Sequence, residues 1–266
     1  MKIGITGCRG KMGLELLKLL VADKDIEVTG GLEKDNSGYI GSGILDFIIG
    51  KNKEIKIAKS PLELFEISDV VIDFTEASAS VEYARIASET KTALVIGTTG
   101  LNEEQIAEIK EYSDKTPILK AANMSLGINL LQALVKKTAH LLGDDFDIEI
   151  LEMHHNQKKD APSGTALSLG EAAASGLGSV LTDVTTNYDR NGVRKKGSIG
   201  FASMRGGDVV GEHDVIFAGL GERVILSHKA TSRVIFAKGA IRAAKWLKGQ
   251  SNGLYDMSDV LGIREI

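Results

Sequence analysis

The stretch Lys2-Ile3-Gly4-Ile5-Thr6-Gly7-Cys8-Arg9-Gly10-Lys11-Met12-Gly13 decides the fold of this chain. Lys2 to Thr6 is a short apolar strand. A turn spaced G-x-x-G-x-x-G follows at Gly7, Gly10 and Gly13, and Leu14, Leu16, Leu17, Leu19, Leu20 and Val21 then recur as on a helix. Strand, glycine turn and helix in that order open a dinucleotide-binding unit. Glycine permits the tight turn and a close backbone approach to a pyrophosphate, which rests on the N–H groups of the helix start. The commoner spacing is G-x-G-x-x-G, and glycine-rich turns also serve packing alone, so the turn needs a second sign. Glu27 to Leu32 supplies it, as a β-like stretch ending at Glu33, twenty residues beyond Gly13. An acid there can hydrogen-bond a ribose diol. Lys34 follows and can instead meet a 2′-phosphate; an ordinary charged turn is the competing account of this pair.

Outward from that opening, strand and helix alternate. Residues 36–53 are glycine-rich and read as a loop with a short helix, and Glu54 to Ala58 reads as a strand. Ser60-Pro61-Leu62-Glu63 is a capping box with proline at the first helical position. Asp69 to Phe74, Thr92 to Ile96 and Pro117 to Lys120 read as buried strands, with helices at Thr75 to Glu89 and Asn102 to Ser113. This alternation predicts a parallel α/β sheet, whose ligands gather at the carboxyl ends of the strands. Gly97, Thr98 and Thr99 and Ala121, Ala122, Asn123 and Met124 fall at such ends, as candidates for the nicotinamide side of a cofactor or as simple turns.

Leu126 to Leu142 is a long helix, and after it the pattern changes. Phe146 to Met153, Lys196 to Met204, Asp208 to Ala218 and Glu222 to Ala230 read as strands. The expectation is a Rossmann-like nucleotide domain, 1–125 with 233–266, joined to a second α+β domain, 126–232, with an open mixed or antiparallel sheet. The final helix, Ser232 to Leu247, returns to the first domain.

The second domain carries the densest chemistry, in Glu152-Met153-His154-His155-Asn156-Gln157-Lys158-Lys159-Asp160-Ala161-Pro162-Ser163-Gly164-Thr165-Ala166. It joins a strand to a helix. Ser163, Gly164 and Thr165 stand where the helix begins, so their backbone N–H groups can face a carboxylate or phosphate. Lysine adds a point charge, and histidine moves protons near neutral pH. A capped, solvated loop is the bland alternative. His140 reads as a helix-surface or packing residue. His213 and His228 sit on strands, where cleft, interface and bland roles stay open.

The formal net charge of -4 over 266 residues offers no nucleic-acid surface. Cys8 is the single cysteine, which excludes an internal disulfide and a multi-cysteine metal site. No histidine pair has metal-ligand helical spacing, so no metal is expected. No apolar run reaches membrane-spanning length, and Met1-Lys2-Ile3 opens directly into a strand, which predicts a cytoplasmic protein with no membrane partner.

Gly7 to Gly13 with Met12, Gly97-Thr98-Thr99-Gly100, Ala122-Asn123-Met124-Ser125, Gly200 to His213 and above all Glu152 to Ala166 resemble the 4-hydroxy-tetrahydrodipicolinate reductase family, formerly dihydrodipicolinate reductase, of the bacterial and plant diaminopimelate–lysine pathway. The resemblance covers essentially the whole chain. It implies reduction of a cyclic dicarboxylate by NADH or NADPH with loss of water, in a homotetramer built through the second domain's sheet. It implies His154 and Lys158 as catalytic, and His155, Gly164 and Thr165 as substrate contacts, to which the helix-start reading adds Ser163. Gly7, Cys8, Arg9, Gly10, Lys11, Met12, Glu33, Gly97 to Thr99 and Ala121 to Met124 correspond to cofactor contacts. Lys34 stands where better-known members have arginine, and it lacks the planar fork that grips a phosphate bidentately. Rival readings are a semialdehyde or homoserine dehydrogenase, and a non-catalytic dinucleotide sensor that would need neither His154 nor Lys158.

Overall fold

The computed structural model describes residues 1–33, 41–43, 55–185 and 192–263. The chain divides into two compact units: Met1–Met124 with Val234–Val260, and Ser125–Arg233 with the chain end from Leu261, which the sequence reading carries with the first.

The first unit holds a six-stranded parallel sheet. Its strands are β1 (Lys2–Thr6), β2 (Glu27–Leu32), β3 (Val70–Asp73), β4 (Ala93–Ile96), β5 (Pro117–Lys120) and β10 (Gly253–Tyr255), in the order β10-β5-β4-β3-β1-β2. The chain steps from β1 to β2 on one side and resumes at β3 on the other. The strand order therefore reverses at β1, which is where a parallel sheet opens a crevice for ligands. β1, β3 and β4 are buried on both sides apart from Lys2, so they run apolar rather than alternating until the buried polar ends of β1 and β3, Thr6 and Asp73. Helices α2 (Pro61–Glu66), α3 (Ala77–Thr90) and α4 (Glu103–Ser113) put Leu64, Phe65, Ala84, Ala87 and Ile109 into one core cluster with Val71, Leu94 and Ile118. Helix α1 (Lys11–Ala22) buries Leu16, Leu17 and Leu20, and packs against α8 (Val234–Leu247), which lies along β3, β4 and β5.

Several local readings are refined. Asn102 and Gln105 close the reciprocal capping box of α4. At α2, Ser60 accepts from the Glu63 N–H as read, but the Glu63 carboxylate accepts from Lys59, one residue earlier than a closed box requires. The strand expected at Glu54 to Ala58 is reduced, among its described residues, to the single bridges Gly31↔Ile57 and Gly43↔Lys56. The loop and short helix expected over 36–53 lie mostly outside the described residues. β10 and the short helix α9 (Met257–Leu261) were not read from the sequence; three residues in the strand are too few to display a period.

The second unit is a four-stranded mixed sheet in the order β7-β6-β8-β9. β6 (Asp147–His154) runs parallel to β7 (Ile199–Arg205) and antiparallel to β8 (Gly211–Ala218), which pairs antiparallel with β9 (Arg223–Ala230). Helices α5 (Leu126–Leu142) and α6 (Gly164–Gly176) bury Leu131, Val135, Ala166, Leu169 and Ala173 against Ile148, Ile150, Ile199, Phe201, Val215 and Phe217. A short helix, α7 (Leu181–Val184), follows α6.

Candidate functional site

In the second unit the site grows out of strand alternation. Along β6 every second residue is buried, giving Ile148, Ile150, Glu152 and His154 on one face, and β8 buries Gly211, His213, Val215 and Phe217 in the same way. The helix-covered face is therefore apolar at one end and polar at the other. In register, Phe201, Ile150, Val215 and Leu226 form an apolar row, and Ser203, Glu152, His213 and His228 form the next. The chemistry sits where the core runs out.

Glu152 is 1% exposed, and a buried carboxylate demands donors. Arg205 grips it bidentately, with Nη1 donating to Oε2 at 2.8 Å and Nη2 to Oε1 at 2.9 Å. The Ser163 N–H donates to Oε1 at 3.2 Å, and His154 Nδ1 lies 2.6 Å from Oε2. Burial alone would push the Glu152 carboxyl up, but the hydrogen bonds from Arg205, His154 and Ser203 outweigh it and hold it below the usual carboxylate range. Burial pushes His154 below the ordinary histidine value, and Glu152 works against that shift. His213 contacts His154 edge-on with ring centroids 5.1 Å apart, and burial lowers it to about 4.

The loop after His154 crosses back to α6. The His155 N–H donates to the Val209 carbonyl at 2.7 Å, while the side chain of His155 is half-exposed where that of His154 is buried. Lys158 Nζ meets both oxygens of Asp160, at 2.9 and 2.8 Å. Arg205 Nη2 also donates to the Asp160 carbonyl at 2.6 Å, so one guanidinium fixes both the carboxylate and the loop. Ser163 caps α6, its Oγ accepting from the Ala166 N–H at 3.1 Å and standing 3.1 Å from His213 Nε2. Gly164 and Thr165 are the first residues of α6. A Cβ on Gly164 would meet nothing within 4 Å, so this helix start is open to a small anion. His154, His155, Lys158, Ser163, Gly164 and Thr165 are thus one neighbourhood. His140 is exposed on α5, remote in sequence from it.

The cofactor candidates of the first unit gather at the carboxyl ends of its strands. Gly7 has φ +60°, and a Cβ on Gly13 would lie 2.2 Å from the Gly7 carbonyl oxygen, so the first turn of α1 rests directly on the glycine turn. Gly10 is the N-cap and takes the Leu14 N–H at 2.9 Å. That leaves the N–H groups of Lys11, Met12 and Gly13 without partners within the helix. Glu33 folds onto the same turn: the Arg9 N–H donates to its Oε1 at 2.6 Å, and Cys8 Sγ lies 3.6 Å from that oxygen. Cys8 is buried, and burial followed by the Glu33 charge raises its thiol to about 12. Gly97, Thr98 and Thr99 follow β4, and Ala121 to Met124 follow β5. These residues fit a dinucleotide: a glycine turn, helix N–H groups at its rim, and a carboxylate at the end of β2. Lys34 lies outside the described residues.

Asp73 and Glu152 carry no role in the sequence reading. Asp73 ends β3 fully buried, accepting from Thr6 Oγ1 at 2.6 Å, Thr75 Oγ1 at 2.6 Å, Thr98 Oγ1 at 3.0 Å and Ser80 Oγ. Both had a signal. A carboxylate closing an apolar strand must be paired, and Glu152 stands two residues before His154, hence on the same face of a strand.

No helix among the described residues is long and apolar enough to cross a membrane. No group of His, Cys, Asp and Glu among them could hold a metal ion.

Two family models match, "Dihydrodipicolinate reductase, N-terminus" over residues 1–124 and "Dihydrodipicolinate reductase, C-terminus" over residues 127–261. A 4-hydroxy-tetrahydrodipicolinate reductase of Bartonella tribocorum is 48% identical over 100% of this chain and 99% of the relative. One from Desulfotalea psychrophila is 46% identical over the same shares of the two chains. Among solved structures, a dipicolinate-bound dihydrodipicolinate reductase from a Paenisporosarcina species superposes with a TM-score of 0.76 at 25% identity, over 96% of this chain and 97% of that one. The chain belongs to the dihydrodipicolinate reductase family.

Proposed function

We propose that this chain reduces 4-hydroxy-tetrahydrodipicolinate to tetrahydrodipicolinate and water, in the diaminopimelate–lysine pathway, with NADH or NADPH as hydride donor. The family and its Rossmann-type unit imply a pyridine nucleotide. The observation that carries the reading is the polar end of the second sheet, where a histidine held by a buried carboxylate, a lysine and an open helix start share one loop.

The substrate is a dianion with a leaving hydroxyl. The N–H groups of Gly164 and Thr165 at the start of α6 and the Lys158 ammonium suit its carboxylates, Ser163 contributes through its hydroxyl because its N–H is held by Glu152, and His155 is a further contact. A bound nicotinamide supplies hydride to the ring. His154 and Lys158 handle the protons: water must leave with a proton added to the hydroxyl, and the ring must be balanced as hydride arrives. Lys158 has to exchange Asp160 for the substrate to do so. Burial holds His154 below the ordinary histidine range, and a dianion beside it favours its charged form.

At the other site, Gly7 to Met12 accept the pyrophosphate and Glu33 the adenine ribose. Gly97 to Thr99 and Ala121 to Met124 flank the nicotinamide. Glu33 favours NADH, while Lys34 admits NADPH through a single charge. The chain acts as a cytoplasmic homotetramer, joined through the outward face of the second sheet. That face supports the assembly because it exposes Met204 and Ile225, at 45% and 53%, beside outward Leu151 and Ile216. Sedimentation should give four copies; a monomer would contradict this.

The test of the activity is cofactor oxidation by the purified protein, supplied with the condensation product of pyruvate and aspartate semialdehyde. Oxidation with both cofactors is expected. None above the enzyme-free control, with either, would sink the reading. Glu33→Ala and Lys34→Ala should move the NADH/NADPH affinity ratio in opposite directions, and an unmoved ratio would remove their assignment.

A further inference from the structure

Glu152 accounts for the orientation of His154, and its surroundings say which ring nitrogen is available. Arg205 gives the carboxylate two donors, the Ser163 N–H and Ser203 give two more, and His154 Nδ1 lies against Oε2. An ionised carboxylate accepts at about four lone-pair positions, so donors on every side hold this one ionised, with no place for a proton of its own. At 2.6 Å from Oε2, an unprotonated Nδ1 would set lone pair against lone pair. Nδ1 must therefore carry hydrogen. The ring's other nitrogen, Nε2, is turned toward β8, where a Cβ on Gly211 would come within 3.0 Å of it. A side chain at 211 would displace the ring; glycine leaves it room.

We propose that Glu152 is a positioning residue for the reduction: it fixes His154 as the Nδ1–H tautomer and so leaves Nε2 as the atom that exchanges a proton with the substrate. The inference rests on His154 being catalytic, as above. Arg205 is the second half of the device. It neutralises the buried carboxylate and holds the Asp160 carbonyl, keeping the Lys158 loop in register with the ring. When the imidazole takes up a proton, Glu152 is already in place to balance it.

The alternative is a buried ion pair that serves folding alone, and it makes different predictions. The first measurement needs no mutation of the pair. In the 15N-labelled protein, the His154 signals, identified by their loss in His154→Gln, should show hydrogen on Nδ1 and a bare Nε2 while the ring is neutral. Hydrogen on Nε2 would overturn the proposal, whether or not any variant folds.

The second measurement is kinetic. Titratable and charged groups facing His154 are Glu152 on its own strand, Arg205 on β7, His213 on β8 and Lys158 on the loop. Of these only Glu152 raises the His154 pKa by both hydrogen bond and charge. Glu152→Gln should therefore move the histidine limb of the kcat/KM profile to lower pH by about one unit. It should cut kcat by about 10²-fold, the lower end of the range for a positioned acid or base, with KM for cofactor unchanged. Glu152→Asp, which keeps the charge, should recover part of the rate. An unmoved limb and parental kcat in folded Glu152→Gln would remove the positioning role while His154→Gln still fails. Parental kcat in His154→Gln would instead remove the catalytic reading on which the proposal stands.

Discussion

Lys158 and Lys159 are adjacent and equally charged, and their surroundings separate them. The Lys158 side chain is 20% exposed and paired with Asp160, whereas Lys159 is exposed. Lys158→Ala should lose about 10²–10⁴-fold in rate, the scale for a positioned acid, and keep its cofactor affinity. Lys159→Ala should stay close to parental activity. Steady-state kinetics of the two single variants decide this, and equal losses would mean a diffuse patch of charge in place of a directed group. Cys8 offers a second residue-scale test. A thiol held near 12 inside the glycine turn presents almost no thiolate near neutral pH, so iodoacetamide should label the protein only after denaturation. Rapid alkylation of the folded chain would show the turn to be open. What the sequence displayed at this scale was identity: the His-His-Asn-Gln-Lys-Lys run and the Ser-Gly-Thr helix start. What it hid was partnership. Arg205 lies fifty-three residues from Glu152, and no local pattern announces a pair made by strand register.

At the scale of elements, the carboxyl ends of β1, β3 and β4 are tied together by one buried group. Asp73 takes Thr6 from β1, Thr75 and Ser80 from the β3–α3 segment, and Thr98 from the end of β4. Asp73→Ala removes the carboxylate acceptor from the buried hydroxyls of Thr6 and Thr98, so it should destabilise the chain by about 3 kcal/mol. It should also loosen the two loops proposed to hold the cofactor, which begin at Gly7 and Gly97. Chemical denaturation and cofactor titration of the same variant separate the effects; full cofactor affinity in a destabilised variant would make Asp73 a folding residue only. Elements with a long period or a terminal signal were legible. Helix α5 occupies Leu126–Leu142 and β5 Pro117–Lys120, as the patterns state, and Asn102 with Gln105 marks the start of α4. Elements whose existence depends on a distant partner were not. β10 is a strand because β5 lies beside it, and Ile57 makes only a bridge to Gly31. Strand starts were read too early at β7 and β8: Lys196 to Ser198 form a turn, with Gly197 at φ +75° and the Ser198 N–H on the Lys195 carbonyl, and Asp208 to Val210 carry strand composition but stand outside the ladder, which begins at Gly211.

For the whole molecule, the buried polar row sets how stability responds to pH. His213 is 4% exposed, and its value falls from 6.5 to about 4 through burial. The sign follows from proton counting. Between those values the unfolded chain binds a proton that the folded chain refuses, so stability rises with pH across the window. The contribution is complete above about 6.5, and about 3 kcal/mol of it is lost on descending to about 4. Glu152, held low by its partners, acts in the same direction as pH falls further. Urea unfolding across that window should show the loss, and His213→Gln should flatten it; an equal dependence in both proteins would place the acid sensitivity elsewhere. The division of labour was legible from the sequence because its two periodicities differ: alternating strand and helix in the first half, successive strands in the second. The content of the second site was not, since its row of side chains exists only once four strands are in register.

The central claim is that hydride passes from a pyridine nucleotide to the cyclic dicarboxylate on this chain, with His154 and Lys158 moving the protons. Supply of NADH or NADPH deuterated at the transferring position, followed by mass analysis of the product, tests it most directly. One deuterium in each tetrahydrodipicolinate, formed in step with cofactor oxidation and lost together with it in His154→Gln, is the predicted result. Cofactor oxidation that leaves the product unlabelled, or no oxidation at all with either nucleotide, would contradict it.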